Sequence, residues 1–240
     1  MAVLITRPGE QGQALCQLLN TAGTSAFYLP LLKITSGKDF YNAKKELADV
    51  DIVIAVSPNA VTFTQQALSG IWPRKSTYIA VGHKTAHALS KHNQQNVHYP
   101  DVSDSEHLLE LKQLSKVNGK KIIILRGNGG RELIRNTLLA RGAQVSYLEI
   151  YRRENITFDA DIETVSWKNN RIKQIVITSL GQLNHFVSQL SQTQKNWVVT
   201  LQLFVPSQRI ATEAKQLGFL DVITTSSASN KDLLAALKPK

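Results

Sequence analysis

Six short segments of this 240-residue chain gather the groups that hold anions. They are Arg7-Pro8-Gly9, Ser57-Pro58-Asn59-Ala60-Val61, Gly82-His83-Lys84-Thr85-Ala86, Arg126-Gly127-Asn128-Gly129-Gly130-Arg131, Thr178-Ser179 and Ser207-Gln208-Arg209. Each follows a short apolar run, where a strand would give way to a loop and a helix. Amides at a helix start and the dipole behind them attract negative charge. Arg7, Arg126 and Arg131 add donor forks that match a carboxylate or phosphate. Ser57, Asn59, Thr85, Thr178, Ser179 and Ser207 offer polar side chains, and Gly82 and Gly127 offer accessible backbone. These eleven segment positions aside, no nucleophile and base stand in a familiar pattern.

Common catalytic signatures fail one by one. The glycine-rich stretch lacks the third glycine of G-x-G-x-x-G and has no G-K-[ST] ending, so neither dinucleotide fingerprint nor P-loop applies. It is an anion cradle or a turn that needs positive φ. His83 and His87 have the i, i+4 spacing of a helical metal pair but no third ligand or glutamate beside them. His185 falls on an amphipathic helix as a boundary residue. Cys16, the single cysteine, shares a helix face with Leu19 and reads as core. No G-x-S-x-G elbow is present. The chemistry left is binding, or catalysis on a substrate that carries its own reactivity.

Composition narrows the partner. Lys and Arg number 28 against 18 Asp and Glu, a net +10 that draws anions or serves solubility alone. The three tryptophans sit in loop-like contexts without the basic-aromatic interleaving of a single-strand reader. With one cysteine, no disulfide forms within the chain, as suits a reducing compartment. Met1 to Pro8 enters a strand-like run at once, without the basic start and cleavage site of a secretory signal. No apolar stretch approaches the ~18 residues of a membrane span.

The elements that position these segments follow from periodicity. Apolar runs at Val3 to Thr6, Ala26 to Leu29, Asp51 to Val56, Tyr78 to Val81, Lys121 to Leu125, Gln144 to Leu148, Gln174 to Ile177 and Leu201 to Val205 predict strands. Amphipathic stretches between them predict helices. Ser57 then Pro58 reads as N-cap then first helical residue, and Gly23 ends the first helix. The alternation predicts an α/β fold of parallel sheets flanked by helices. A shift of 119 residues, from Arg7 to Arg126, lays Gly142 on Gly23 and Tyr147-Leu148 on Tyr28-Leu29. Ser179 follows its strand as Ser57 does. One unit therefore occurs twice. Polar stretches near 33–39 and 152–159 fall after the second strand of each unit and read as linkers. The expected division is a discontinuous lobe, 1–34 with 155–240, and an inserted lobe, 35–151, with ligand in the cleft between them, beyond the carboxyl ends of the strands.

Taken in order, Leu4-Ile5-Thr6-Arg7-Pro8, Leu29-Pro30-Leu31, Ser57-x-Asn59-Ala60-Val61, Val81-Gly82-x-x-Thr85-Ala86, Ser105-Glu106-x-Leu108-Leu109, Leu125-Arg126-Gly127-x-Gly129-Gly130-Arg131, Tyr151-x-Arg153, Thr178-Ser179 and Ser207-x-Arg209-Ile210-Ala211 resemble the uroporphyrinogen-III synthase family over nearly the whole chain. The resemblance implies two α/β lobes joined by a two-stranded linker. It implies a cytoplasmic lyase of tetrapyrrole synthesis that needs no metal or cofactor. The substrate would be hydroxymethylbilane, a linear tetrapyrrole with eight carboxylates, and the products uroporphyrinogen III and water. The expected partner is this small polycarboxylate alone, met by a monomer that engages neither nucleic acid nor membrane. Ring A would lose its hydroxyl to give an electron-poor azafulvene. The substituted carbon of ring D would attack, and a spiro intermediate would fragment and rejoin with ring D reversed. Tyr151 matches a family tyrosine at the lobe–linker junction and is the candidate proton donor; a ring that packs at the lobe boundary is the alternative. Pro206-Ser207-Gln208-Arg209 departs from Gly82-His83-Lys84-Thr85, so the two loops need not bind alike. Against this stand two rivals: a non-catalytic cleft-type binder of an anionic small molecule, and a nucleic-acid binder suggested by charge but lacking a recognition helix.

Overall fold

Unbroken apolar runs of four residues suit strands covered on both faces, and Ala2–Ile5 and Ile52–Ala55 are buried at every position. The computed structural model describes residues 2–237; Met1 and residues 238–240, the extremes of the expected discontinuous lobe, lie outside the described residues. In chain order the strands are β1 (Ala2–Ile5), β2 (Ser25–Tyr28), β3 (Leu32–Ser36), β4 (Ile52–Ala55), β5 (Thr77–Ala80), β6 (Val97–His98), β7 (Lys121–Gly127), β8 (Gln144–Asn155), β9 (Ile172–Val176), β10 (Gln202–Val205) and β11 (Asp221–Thr224). The helices are α1 (Gly9–Thr21), α2 (Ala43–Glu46), α3 (Pro58–Ala67), α4 (His83–Asn93), α5 (Ser105–Leu108), α6 (Leu133–Ala140), α7 (Ala160–Asn169), α8 (Leu180–Ser188), α9 (Gln192–Val198), α10 (Gln208–Gln216) and α11 (Asn230–Leu237). The α/β reading holds.

The chain divides into two compact units. One runs to Lys33 and resumes at Glu154; the other is Ile34–Arg153. The first unit carries a parallel sheet ordered β2-β1-β9-β10-β11, in which Val3 pairs with Gln174 and Ile5 with Val176. The second carries β8-β7-β4-β5-β6 in parallel, with β3 added beyond β8. The same spatial order is thus read in two chain orders. The parallel part of the inserted unit's sheet starts at β4, the counterpart of β9, and reaches the counterparts of β1 and β2 last. The repeat extends to backbone detail: Gly23 and Gly142 turn the chain after α1 and α6 with φ of +81° and +82°, a left-handed conformation that glycine adopts without strain.

Alternation along the strands builds a core on each face of each sheet. In the first unit Ala2 and Leu4 join Phe186, Leu203 and Trp167, while Val3 and Ile5 join Leu15, Leu19 and Leu233. In the second, Ile123 and Leu125 pack with Val53, Ala55 and Tyr78, while Ile122 and Ile124 pack with Ile54, Leu114 and Leu138.

The sequence reading needs one correction here, the length of β8, whereas β3 paired with β8 fits the expected two-stranded linker. The stretch from residue 33, read as a linker, contains most of β3. The strand read as Gln144 to Leu148 continues to Asn155. β3 is short, and the far end of β8 is an unbroken polar run, Arg152-Arg153-Glu154-Asn155, so the backbone ladder that makes them strands leaves little mark in side-chain polarity. Tyr151 therefore lies inside a strand, not after one.

Candidate functional site

In an open parallel sheet, ligands meet the carboxyl ends of the strands where the strand order reverses. That point lies between β7 and β4 in the inserted unit and between β1 and β9 in the other. Ser57 follows β4 and caps α3: its Oγ accepts from the amide of Ala60 at 3.2 Å, with Pro58 at the first helical position. Gly127 ends β7.

Tyr151 reaches this point through a bulge. Arg126 pairs with Glu149 but Gly127 with Tyr151, so the register slips by one residue. In a regular strand Ile150 and Tyr151 would face opposite sides; after the slip both pack in the same core. The Tyr151 ring, 1% exposed, lies 5.9 Å from the ring of Phe63. It also lies against Gly127, where an added Cβ would stand 2.6 Å from ring atoms Cε2 and Cζ. Gly127, the last residue of β7 and without a positive φ, is thus a space for the phenol ring. Ser57 Oγ donates to Tyr151 Oη at 3.2 Å and Arg153 Nη2 donates at 2.8 Å. Two donors converge on the phenol oxygen, which leaves the phenol's own proton for a third partner.

The arginines of the glycine-rich segment serve the opposite face of the sheet. Arg126 is 5% exposed, its guanidinium 4.2 Å from the Tyr147 ring centroid, and Nη1 reaches Glu132 at 3.1 Å. Tyr147 donates to the other oxygen of Glu132 at 2.7 Å. Burial, then the Glu132 carboxylate, pushes the Tyr147 phenol up to about 12. Around these groups lies a hollow of about 180 Å³ floored by Val56, Val81, Ile124 and Ile134. Exposed Arg131 forks onto both oxygens of Glu106, with Nη1 at 3.1 Å. So Arg126 and Arg131 share a loop with Gly127 but not a face with Tyr151. Gly129 and Gly130 turn that loop with φ of +80° and +135°.

The remaining candidates sit at helix starts. Asn59 is partly buried in the first turn of α3. Gly82 precedes α4, and a Cβ there would meet Ser103 Oγ at 2.0 Å; Thr85 is 3% exposed one turn on. In the other unit Ser179 caps α8, accepting from Gln182 at 3.3 Å, as Ser57 caps α3. Thr178 Oγ1 donates to Gln182 Oε1 at 3.0 Å. Ser207 precedes α10 without a side-chain cap bond. Arg7 binds Asn230 Oδ1 at 2.8 Å together with the carbonyl of Ala228 and the Gln11 side chain, and so ties the α11 start to the end of β1. A shift of 119 residues brings Leu32 onto Tyr151, so the phenol belongs to one unit only.

The sequence reading gave no role to Arg153, Tyr147 or Glu132. Arg153 was within reach, since residues i and i+2 of a strand share a face. Glu132 was not, because its partners arrive from β7 and β8.

His83 and His87 stack at 6.5 Å, and among the described residues no cluster of three His, Cys, Asp or Glu could hold a metal. No described helix is long and apolar enough to cross a membrane.

Comparison with known proteins agrees with the fold. The pattern of the family described as "Uroporphyrinogen-III synthase HemD" matches residues 13–235. The uroporphyrinogen-III synthase of Escherichia coli is 38% identical, with 99% of this chain and 100% of the relative covered; that of Salmonella typhimurium is 37% identical over the same shares. Among solved structures, a mutant uroporphyrinogen III synthase from Thermus thermophilus superposes with a TM-score of 0.64 at 16% identity, covering 98% of this chain and 97% of its own. Uroporphyrinogen-III synthetase from Helicobacter pylori gives 0.57 at 13% identity, covering 99% of each. At such identities the structures speak for the fold, and the sequence relatives carry the assignment: this chain belongs to the uroporphyrinogen-III synthase family.

Proposed function

We propose that this chain converts hydroxymethylbilane to uroporphyrinogen III, with reversal of ring D and loss of water, and that Tyr151 supplies the proton for the departing hydroxyl. Family membership supports the reaction. The observation that carries the residue assignment is the phenol oxygen held by Ser57 and Arg153 with its proton unspent. The C–O bond at ring A breaks toward oxygen, the Tyr151 proton completes a water molecule, and the N-protonated, cationic azafulvene is left beside the phenolate. The substituted carbon of ring D attacks the ring A methylene to give the spiro intermediate. Its bond to the ring C methylene then breaks, and the free end of ring D joins that methylene. The proton lost from that end as the pyrrole recovers aromaticity balances the one given. Unassisted, the free end of ring D attacks and gives the unreversed isomer. The protein's main task is to hold a flexible chain in the conformation that favours the other attack.

Eight carboxylates give that conformation its handles. In this reading the backbone amides at the starts of α3, α4, α8 and α10, beside Ser57, Asn59, Gly82, Thr85, Thr178 and Ser179, receive them, together with the Ser207 hydroxyl. Arg7, Arg126 and Arg131, with Gly127, shape the loops and supply the positive field. Because the substrate supplies the electrophile, the reaction calls for no cofactor. The enzyme acts as a monomer in the cytoplasm, with no nucleic acid or membrane partner.

Tyr151→Phe tests the assignment, since it keeps the ring and removes the proton. A fall in kcat of roughly 10²-fold, with KM little changed, is expected. Full activity and full isomer selectivity would remove Tyr151 from the mechanism.

A further inference from the structure

We infer that Arg153 is a positioning residue for proton donation by Tyr151, the side chain that steadies the phenol oxygen as its proton leaves. The inference rests on the Tyr151 reading above and goes beyond it in naming a second participant. Arg153 Nη2 lies 2.8 Å from Tyr151 Oη, and the guanidinium carbon lies 5.3 Å from the ring centroid. Its backbone is clamped on both sides by one residue. Asn128 Nδ2 donates to the Arg153 carbonyl at 3.1 Å, and Asn128 Oδ1 accepts from the Arg153 amide at 2.7 Å. Asn128 directly follows Gly127, which makes room for the Tyr151 ring. A single turn thus fixes the acid and its neighbour together.

The chemistry gives this pairing a purpose. As the proton moves to the departing hydroxyl, negative charge collects on the phenol oxygen. Arginine stays protonated throughout, so its N–H becomes a charge-assisted donor at the moment the charge appears. Such a donor favours the transition state over the ground state, where the phenol is neutral. Ser57, a neutral hydroxyl at 3.2 Å, gives less. When the proton returns at the end of the cycle the pair is restored, and no group beyond the substrate is consumed.

A double-mutant cycle on the full chain, with hydroxymethylbilane as substrate, tests the inference. In the wild-type background Arg153→Gln is expected to lower kcat on the order of 10- to 100-fold, the worth of one hydrogen bond to a charged group, with KM nearly unchanged. In the Tyr151→Phe background the same change should cost less than about twofold, because the oxygen it serves is gone. Arg153→Lys should recover part of the rate, and added guanidinium ion should partly rescue Arg153→Gln but not the double variant. Equal losses in both backgrounds, or a rise in KM alone, would overturn the role of Arg153 while leaving Tyr151 as donor. A fully active Tyr151→Phe would overturn both. Melting curves for the Gln and Lys variants separate a folding defect from a kinetic one, and the guanidinium rescue is a readout that a structural role does not move.

Discussion

Gly127 shows how one missing methyl group shapes a site. With a Cβ placed 2.6 Å from the Tyr151 ring, Gly127→Ala forces the ring or the bulge to move. Overpacking of this kind costs typically ~1–3 kcal/mol. The expected outcome is a lowered Tm with kcat reduced more than in Tyr151→Phe, since geometry is lost along with the proton; unchanged kinetics would show that the ring is free to shift. Cys16 is a second residue-scale case. It is 8% exposed, and burial pushes its thiol up to about 11. Because the thiolate is the reactive form, alkylation at neutral pH should be slow in the folded protein and fast in denaturant. Rapid labelling of the native state would contradict the placement. The sequence already showed Cys16 as core from its spacing to Leu19. Gly127 was read there only as a turn or cradle, because the bulge that brings Tyr151 over it depends on a ladder between two strands.

At the scale of elements, the caps separate stability from binding. Ser57 spends its oxygen on the Ala60 amide, whereas Ser207 makes no side-chain cap bond. Ser57→Ala should therefore cost about 1 kcal/mol of stability. Ser207→Ala should leave stability almost unchanged and raise KM if its hydroxyl receives a carboxylate. Equal effects of the two on Tm would contradict the geometry. The start of β4 adds a pH-dependent element. Asp51 accepts from Lys120 Nζ and the Lys121 amide, both at 2.9 Å, and these bonds hold its carboxyl below the usual aspartate value. A depressed carboxyl contributes stability above the ordinary value and loses it as pH falls through the folded one. Exposure keeps the effect small. Asp51→Asn should flatten the acid limb of Tm against pH and leave the alkaline limb unchanged. The cap at Ser57-Pro58 and the strands Val3 to Thr6 and Asp51 to Val56 were legible to within a residue or so, since side-chain type and apolar runs carry them. β3 and the far half of β8 were not legible as strands, because β3 is short and Arg152-Arg153-Glu154-Asn155 is a polar run without apolar alternation.

For the molecule as a whole, the informative feature is a unit used twice with its chain order rotated. The repeat was visible at Gly23 and Gly142, at Tyr28 and Tyr147, and at Ser57 and Ser179, where turn geometry or capping constrains residue type. It could not show that Arg126 and Tyr151 serve opposite faces of one sheet, which follows from the one-residue slip between β7 and β8. Ile34–Arg153 is continuous in sequence and has cores on both faces of its sheet. Expressed alone, it should fold and melt cooperatively; a fragment without a cooperative transition would contradict its autonomy. The net charge of +10 sets another expectation. Affinity for a polycarboxylate should weaken as salt rises, since exposed charges are screened beyond ~8 Å at physiological ionic strength. Affinity independent of salt would place recognition in buried contacts instead.

The most direct measurement mixes the purified chain with hydroxymethylbilane and separates the cyclic products by isomer. Uroporphyrinogen III, formed faster than spontaneous closure and in excess over the unreversed isomer, is the expected result. Formation of the unreversed isomer alone, at the rate seen without protein, would contradict the proposed activity and leave a non-catalytic binder of anionic molecules.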